Sequence, residues 1–188
     1  MTRVLFFAYP MFADFEIAHT LFFLRKIGKA TITTATIDGN PVESLGGIVT
    51  QANVDIAEVI PENYDLILIS GGDGISEVLN NREIHSVLEQ FNSLGKPITA
   101  ICASAALLGK SGLLKGNSFT CNPNNYDVYQ EVFTGASYTG KRIEIAGNIV
   151  TAKGTAFPEF TQAVLDQLRL WESVEQRDWA YKFCRGDI

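Results

Sequence analysis

Short apolar runs alternate with helical patterns along the whole chain. The runs Arg3–Tyr9, Asp65–Ser70 and Ile98–Ile101 are almost continuously apolar, which is typical of strands buried on both faces of a sheet. Ala30–Ile37 is rich in β-branched residues and predicts a further strand. Helical spacing of apolar positions predicts the intervening helices, at Asp14–Gly28, Arg82–Leu94, Ala103–Lys110, Tyr126–Phe133 and Phe157–Trp171. This alternation predicts an α/β fold with a mostly parallel central sheet covered by helices on both faces.

Several shorter patterns complete the prediction. Val42–Gln51 is interrupted by two glycines and predicts a short hairpin or arm, whereas Ser118–Cys121 predicts a strand. On the first helix, we expect Phe15, Ala18 and Phe22 to share the buried face. A further hairpin is predicted from Arg142–Ala146 and Asn148–Ala152, with its turn at Gly147. Ser173–Arg185 predicts a last helix that packs back on the domain through Trp179 and Phe183.

Length and composition narrow the class of protein. The 188 residues fit one domain, 1–188, with 173–188 as a C-terminal helical extension. A net charge of −6 argues against nucleic acid or an anionic membrane as the main partner. The apolar start ends at Pro10 without a cleavage site, so a buried first strand explains it better than a signal peptide. These features predict a cytoplasmic protein.

The three cysteines, Cys102, Cys121 and Cys184, are an odd number at wide spacing. Free thiols in a reducing compartment are therefore expected. No CxxC pair or Cys/His cluster is present, so we expect no metal site.

Three segments are predicted to meet at the carboxyl edge of the sheet, where α/β proteins bind ligands. They are Pro10–Glu16, Gly71–Gly74 and Cys102–Ser104, each of which directly follows a predicted strand. The candidate chemistry of the chain is concentrated in these segments.

Cys102 lies between a strand and a helix, in the sequence Ala100-Ile101-Cys102-Ala103-Ser104. Small residues two positions before and after it permit a strained elbow that raises the central side chain above the sheet. The start of the following helix is expected to favour the thiolate. The alternative is a small buried hydrophobic residue in an alanine-rich helix.

Two further positions support a site around this elbow. Gly71 and Gly72 permit close approach of backbone amides that can bind an oxyanion beside Cys102. Glu16 lies at the start of a helix for which Asp14 suits the N-cap, and a protonated Glu16 would donate to the sulfur or act as an acid/base. The alternatives are an ordinary turn and a surface glutamate placed to suit the helix dipole.

Together these pieces resemble the DJ-1/ThiJ/PfpI superfamily, which is related to class I glutamine amidotransferase domains. The resemblance covers roughly residues 1–170, through the first helix with Glu16, the Ser70-Gly71-Gly72 turn, the Cys102 elbow and Gly154-Thr155 before a helix. It implies a flavodoxin-like three-layer sandwich, a homodimer and no cofactor. It also implies that Cys102 is the nucleophilic or oxidisable cysteine, that Glu16 is its acid, and that amides near Gly72 and Ala103 form an oxyanion hole.

Two departures from the family pattern bear on function. Ala103 stands where the protease-like branch has a histidine, and Asn122 stands where the DJ-1-like branch has one, in Thr120-Cys121-Asn122-Pro123. The only histidines, His19 and His85, lie in predicted helices, so no Cys-His triad is evident and peptidase activity is not expected. Gly71, Asn122 and Cys121 are further candidates for the pocket. Cys121 has two interpretations, a partner that pairs with Cys102 or a buried strand cysteine.

Three functions follow as hypotheses. In the first, Cys102 attacks a small electrophilic substrate in a hydrolase or lyase-like reaction, with Glu16 moving the proton. In the second, a redox or oxidative-stress protein without turnover, Cys102 oxidises to sulfenic or sulfinic acid. In the third, the chain is an interaction module with an inert thiol.

Overall fold

A seven-stranded sheet forms the centre of the structure, a computed structural model that describes residues 1–188. In chain order, the strands of this sheet and of two small ribbons are β1 (Arg3–Phe7), β2 (Thr31–Thr36), β3 (Val42–Glu43), β4 (Val49–Thr50), β5 (Val54–Asp55), β6 (Leu66–Ile69), β7 (Ile98–Ile101), β8 (Ser118–Phe119), β9 (Ser137–Tyr138), β10 (Ile143–Ala146) and β11 (Ile149–Ala152). The central sheet has the order β10-β11-β7-β6-β1-β2-β5, and only the pairing of β10 with β11 is antiparallel.

Helices cover both faces of this sheet. They are α1 (Asp14–Lys26), α2 (Ile75–Val78), α3 (Arg82–Ser93), α4 (Ala105–Lys110), α5 (Pro123–Val128), α6 (Phe157–Gln167) and α7 (Val174–Arg185). Helices α1 and α6 pack together with α7 against α6, whereas α3 packs against α4. Every residue of β6 and β7 is buried, as their apolar sequences predict. The predicted α/β sandwich of flavodoxin-like type, with a mostly parallel sheet, is confirmed.

The buried face of α1 differs from the predicted one. Phe15 and Phe22 are 56% and 41% exposed and Ala18 is also exposed, whereas the buried positions include Thr20 and Phe23. Both sets follow helical spacing, because α1 is apolar on two sides. Packing against α6 decides between them, and the two helices share a buried hydrogen bond of 2.9 Å between Thr20 Oγ1 and Thr161 Oγ1.

The helix predicted at Tyr126–Phe133 begins earlier than expected. Pro123 occupies the first helical turn, where its fixed φ and missing N–H are tolerated, so α5 starts there. At Tyr129 the backbone leaves the helical region, and a separate 3-10 turn follows over Gln130–Phe133. The shift places Asn122 at the N-cap position of α5.

Two hairpin predictions are confirmed, at β3–β4 and at β10–β11. The strand predicted at Ser118–Cys121 is shorter, and β8 pairs with β9 in a separate ribbon rather than joining the central sheet.

The C-terminal helix packs back on α1, as predicted. The ring of Phe183 lies 5.6 Å from the ring of Phe23, and the ring of Trp179 lies 6.1 Å from it. Gly186 ends α7 with a φ of 72°, a conformation that glycine adopts without strain.

The three segments predicted to meet do so at the carboxyl ends of β1, β6 and β7, which are neighbours in the sheet. Chain connections run outward in opposite directions from β1 and β6, to β2 on one side and to β7 on the other. The candidate site therefore lies at the topological switch point of the sheet.

Candidate active site

Cys102 occupies a strained elbow between β7 and α4. Its φ is 62°, in the left-handed region, and a 3-10 turn over Cys102–Ser104 leads into the helix. Such a conformation costs about 1–3 kcal/mol in a residue that carries a side chain. Ser104 Oγ fixes the elbow by donating to the carbonyl oxygens of Ile101 at 2.7 Å and Ile69 at 3.2 Å. The predicted elbow is confirmed, and it lifts the thiol to the edge of the sheet.

The Gly71-Gly72 turn packs directly against this elbow. A Cβ atom on Gly71 would lie 2.5 Å from Cys102 Cβ, so only glycine fits there. Gly72 has a φ of 136° and forms an antiparallel bridge with Phe12. Ala13 N also donates to Gly71 O at 2.8 Å. The turn thereby fixes the start of α1 over the end of β6.

Glu16 points from the first turn of α1 toward Cys102 and is only 3% exposed. Its Oε2 atom accepts a hydrogen bond from Gly71 N at 2.9 Å. Burial raises the pKa of Glu16 to about 7, although hydrogen bonds with Cys102 and Gly71 oppose the rise. The Glu16 carboxyl group can therefore gain and lose a proton near neutral pH.

Asp14 does not cap α1 as expected. Ala13 occupies the N-cap position and supplies no side-chain hydrogen bond. Asp14 Oδ2 instead accepts from Ser44 Oγ at 2.8 Å, which ties the β3–β4 hairpin to α1.

The pKa of the Cys102 thiol is raised, contrary to the expectation from the helix start. Burial is the largest cause, and the charge of Glu16 adds to it. The Ala103 N–H and the Asn125 amide lower the pKa but do not outweigh these effects. The Cys102 thiol therefore keeps its proton near neutral pH, beside a carboxyl group that can accept the proton once it is ionised.

Two asparagine amides surround the sulfur. Asn122 Nδ2 lies 3.2 Å from Cys102 Sγ and Asn125 Nδ2 lies 3.4 Å from it, both as donors. Gly154 N donates to Asn122 Oδ1 at 2.9 Å and so fixes the orientation of that amide. Asn122 was predicted, but Asn125 was not. The sequence feature that indicates Asn125 is its spacing of three residues from Asn122 at the start of α5, which places both side chains on one face of the helix.

These groups line a pocket of about 190 Å³ above the sulfur. Of the predicted residues, Cys102, Glu16, Gly72, Ala103 and Asn122 line it, and Gly71 lies behind Glu16 and Cys102. Sequence reasoning did not assign the other polar wall residues, Asp73, Asn124 and Asn125. The N–H of Gly72 has no backbone acceptor, and the N–H of Ala103 faces the sulfur.

Cys121 is the predicted pocket residue that the structure places elsewhere. It is fully buried and outside the pocket, and the structure contains it as a free thiol, as a buried strand cysteine would be. Burial raises the pKa of Cys121 to about 12. Neighbouring residues of an extended segment point in opposite directions, which is why Asn122 faces the site and Cys121 does not.

Neither histidine reaches the pocket. The imidazole of His85, on α3, lies 2.6 Å from Ser111 Oγ at the end of α4 and 2.8 Å from Leu79 O at the end of α2, and both contacts fix its position. His19 stacks on Phe157 with ring centroids 5.3 Å apart. No group of three or more His, Cys, Asp or Glu side chains is arranged to hold a metal ion.

A sequence model described as the DJ-1/PfpI family matches residues 2–167. The chain belongs to the DJ-1/PfpI family. Uncharacterized protease YdeA of Bacillus subtilis is 31% identical over 195 residues, which cover 98% of this chain and 95% of that protein. Deglycase PH1704 of Pyrococcus horikoshii is 24% identical over 151 residues, covering 80% of this chain and 89% of that protein. The DJ-1 superfamily protein Atu0886 from Agrobacterium tumefaciens superposes with a TM-score of 0.88 at 27% identity, over all of both chains.

The DJ-1/PfpI match spans the Cys102 elbow, the Gly71-Gly72 turn and Glu16. It also spans Asn122, at the position where the DJ-1-like branch was expected to carry a histidine. In this member an amide therefore contacts the sulfur where an imidazole was expected. None of its helices combines the length and hydropathy that a membrane crossing requires.

Proposed function

We propose that the protein is a cysteine-dependent enzyme of the hydrolase or lyase type that acts on a small electrophilic carbonyl compound. The observation that carries this proposal is the placement of the Cys102 thiol, the Glu16 carboxyl group and the Gly72 N–H around one pocket. A pKa of about 7 suits Glu16 to act as a base near neutral pH. The relative PH1704 carries the name deglycase, which is compatible with such chemistry.

In the proposed step, the sulfur of Cys102 forms a bond to the electrophilic carbon while its proton passes to the Glu16 carboxylate. The π electrons of the carbonyl group move to the substrate oxygen, and the N–H groups of Gly72 and Ala103 stabilise the charge that develops there. Glu16 then returns the proton either to the oxygen, which gives a hemithioacetal, or to the leaving group, which departs as the carbonyl re-forms. In the second case water attacks the resulting thioester, and the acid and the free Cys102 thiol are released. The amides of Asn122 and Asn125 stabilise the negative charge that develops on the sulfur as its proton leaves.

A panel of aldehydes, amides and esters tests this proposal by measured turnover. We expect turnover to be lost in Cys102→Ala and strongly reduced in Glu16→Gln, which keeps the shape of the side chain but cannot accept a proton. Cys184→Ala is the matched control, because Cys184 is a buried free thiol outside the pocket, and its turnover should equal the wild type. A panel without any Cys102-dependent turnover would overturn the proposal.

The second candidate is a redox protein in which Cys102 is oxidised without turnover. The lack of a histidine in the pocket favours this function, because no imidazole is present to move protons through repeated cycles. It predicts that peroxide oxidises Cys102 selectively, and equal oxidation of Cys121 and Cys184 would argue against it. Under both candidates we propose a cytoplasmic location, where the three free thiols stay reduced.

We also propose that the protein forms a homodimer through an apolar groove between α1 and the β3–β4 hairpin. The groove has a volume of about 580 Å³, and its walls include Phe15 and Ile48, which are 56% and 58% exposed. Large exposed apolar patches on globular proteins commonly mark interfaces. Light scattering should show a dimer for the wild type and a monomer for Ile48→Asp. Val128→Asp, at an exposed apolar position outside the groove, is the control, and a monomeric wild type would contradict the proposal.

A further inference from the structure

The pocket above Cys102 has an uneven charge. Two acidic side chains, Glu16 and Asp73, line it, and its remaining polar side chains are neutral asparagine amides and the thiol. No lysine, arginine or histidine contributes to its wall. A carboxylate, phosphate or sulfonate entering this pocket would meet negative charge with no cation to offset it.

Asp73 is the acid that a substrate meets at the rim. It is exposed, and it directly follows the buried Gly72 in the turn after β6. Its backbone N–H donates to Met11 O at 3.1 Å, so the turn has a fixed position. Its carboxylate takes part in none of the four ion pairs of the structure. The charge of Asp73 is therefore free to interact with a ligand.

The field of Asp73 reaches the reacting groups. Its charge adds to the burial that raises the pKa of Glu16, and it contributes in the same direction at Tyr9 beneath the site. The negative charge of Asp73 therefore also acts on a molecule that lies in the pocket between the two carboxyl groups. Low-dielectric walls around a narrow cleft strengthen such effects.

From these observations we infer that Asp73 determines the charge selectivity of the pocket, favouring small electrophiles that carry a positive charge near the electrophilic carbon. Neutral electrophiles enter less readily, and anionic ones are largely excluded. The pocket volume of about 190 Å³ equals that of about six water molecules, so the part of the compound that enters it has only a few carbon atoms. As a statement about substrates, this inference rests on the proposed enzymatic function.

The charge selectivity can be measured without any substrate, by the rate at which charged reagents modify Cys102. Aminoethyl methanethiosulfonate is cationic, methyl methanethiosulfonate is neutral and sulfonatoethyl methanethiosulfonate is anionic. Each forms a disulfide with the thiol and releases methanesulfinate. Mass spectrometry of peptides assigns the modification to Cys102, and Cys102→Ala gives the background from the other two thiols.

We expect the cationic reagent to react about tenfold faster than the anionic one at low salt, relative to the same ratio for a free thiol in solution. The ratio should shrink as salt is added, because the rim is exposed to solvent. Asp73→Asn should lower the ratio, leaving only the contribution of the Glu16 carboxylate, and Asp73→Lys should lower it further. Glu77→Gln removes the same charge from an exposed position outside the pocket and should leave the ratio unchanged.

A ratio equal to that of the free thiol in the wild type would overturn the inference. So would a cation preference that is as large in Asp73→Asn as in the wild type. Turnover without a charge preference would overturn this inference and leave the proposed enzyme intact. A charge preference that follows Asp73, in a protein that turns over none of the carbonyl panel, would support the selectivity of the pocket while the proposed function fails.

Discussion

Replacing Glu16 with glutamine is expected to remove a pH dependence of stability that this one residue imposes. Burial raises the pKa of Glu16 from 4.5 to about 7 in the folded protein. The folded state therefore keeps a proton that the unfolded state releases between these two values. The resulting stabilisation is fully present below about pH 4.5 and is lost as the pH rises through about 7.

The size of the effect follows from the two pKa values. Their difference of about 2.5 corresponds to about 3 kcal/mol of unfolding free energy, and most of it is lost between about pH 5 and pH 8. Cys102 contributes little in this range, because burial keeps its thiol protonated in the folded state and the unfolded thiol ionises only around its ordinary pKa of about 8.5. Glutamine is neutral at every pH and can still accept the hydrogen bond from Gly71 N.

Urea unfolding at a series of pH values measures this contribution. The free energy of unfolding of the wild type minus that of Glu16→Gln should fall by about 2–3 kcal/mol between pH 5 and pH 8. Taking the difference cancels the titration of all other groups that do not interact with Glu16. Glu77→Gln, at an exposed position, should give a difference that is constant with pH. A constant difference for Glu16→Gln as well would refute the reasoning.

Four further substitutions have defined outcomes. Gly154→Ala places a Cβ 3.3 Å from Cys102 Sγ and closer still to Glu16 Oε1. Alkylation of Cys102 should therefore slow, and the free energy of unfolding should fall by about 1–3 kcal/mol. An unchanged alkylation rate would contradict this close packing. Asn122→Ala and Asn125→Ala each remove a hydrogen-bond donor to the Cys102 sulfur and should slow its alkylation about tenfold or more. The two effects should be non-additive in the double variant, because both amides contact the same atom. Alkylation at the wild-type rate would exclude a role for the amides. Tyr9→Phe deletes a buried hydrogen bond of 2.8 Å from the Tyr9 hydroxyl to Ser70 O. The free energy of unfolding, measured in urea, should fall by about 1–3 kcal/mol. No loss would show that water replaces the hydroxyl as the partner of Ser70 O.

Sequence reasoning predicted the parts of the site that depend on chain order alone. Strands β1, β6 and β7 are short apolar runs, and parallel strands must end at one edge, so the segments that follow them meet. Cys102, Glu16 and Gly72 could be placed there without coordinates. Small residues around Cys102 likewise predicted an elbow, and its φ of 62° agrees.

The features that were missed depend on packing between distant segments. Helix α1 is apolar on two sides, and only its contact with α6 shows that Phe15 and Phe22 are exposed. Asn125 reaches the sulfur because α5 starts at Pro123 rather than at Tyr126. The direction of the Cys102 pKa was also wrong, because the helix start is a local property, whereas burial and the charge of Glu16 arise only in the folded protein.

The claim that Glu16 takes the proton of Cys102 is tested most directly by the pH dependence of alkylation at each cysteine, read by mass spectrometry in the wild type and in Glu16→Gln. The account predicts that the Cys102 rate rises with an inflection near pH 7 in the wild type, where Glu16 ionises, and that Glu16→Gln lacks this inflection. Cys121 and Cys184, whose pKa values burial raises to about 12 and about 11, should react slowly in both proteins. Identical Cys102 profiles in the two proteins, with an inflection at the ordinary thiol value of about 8.5, would contradict the account.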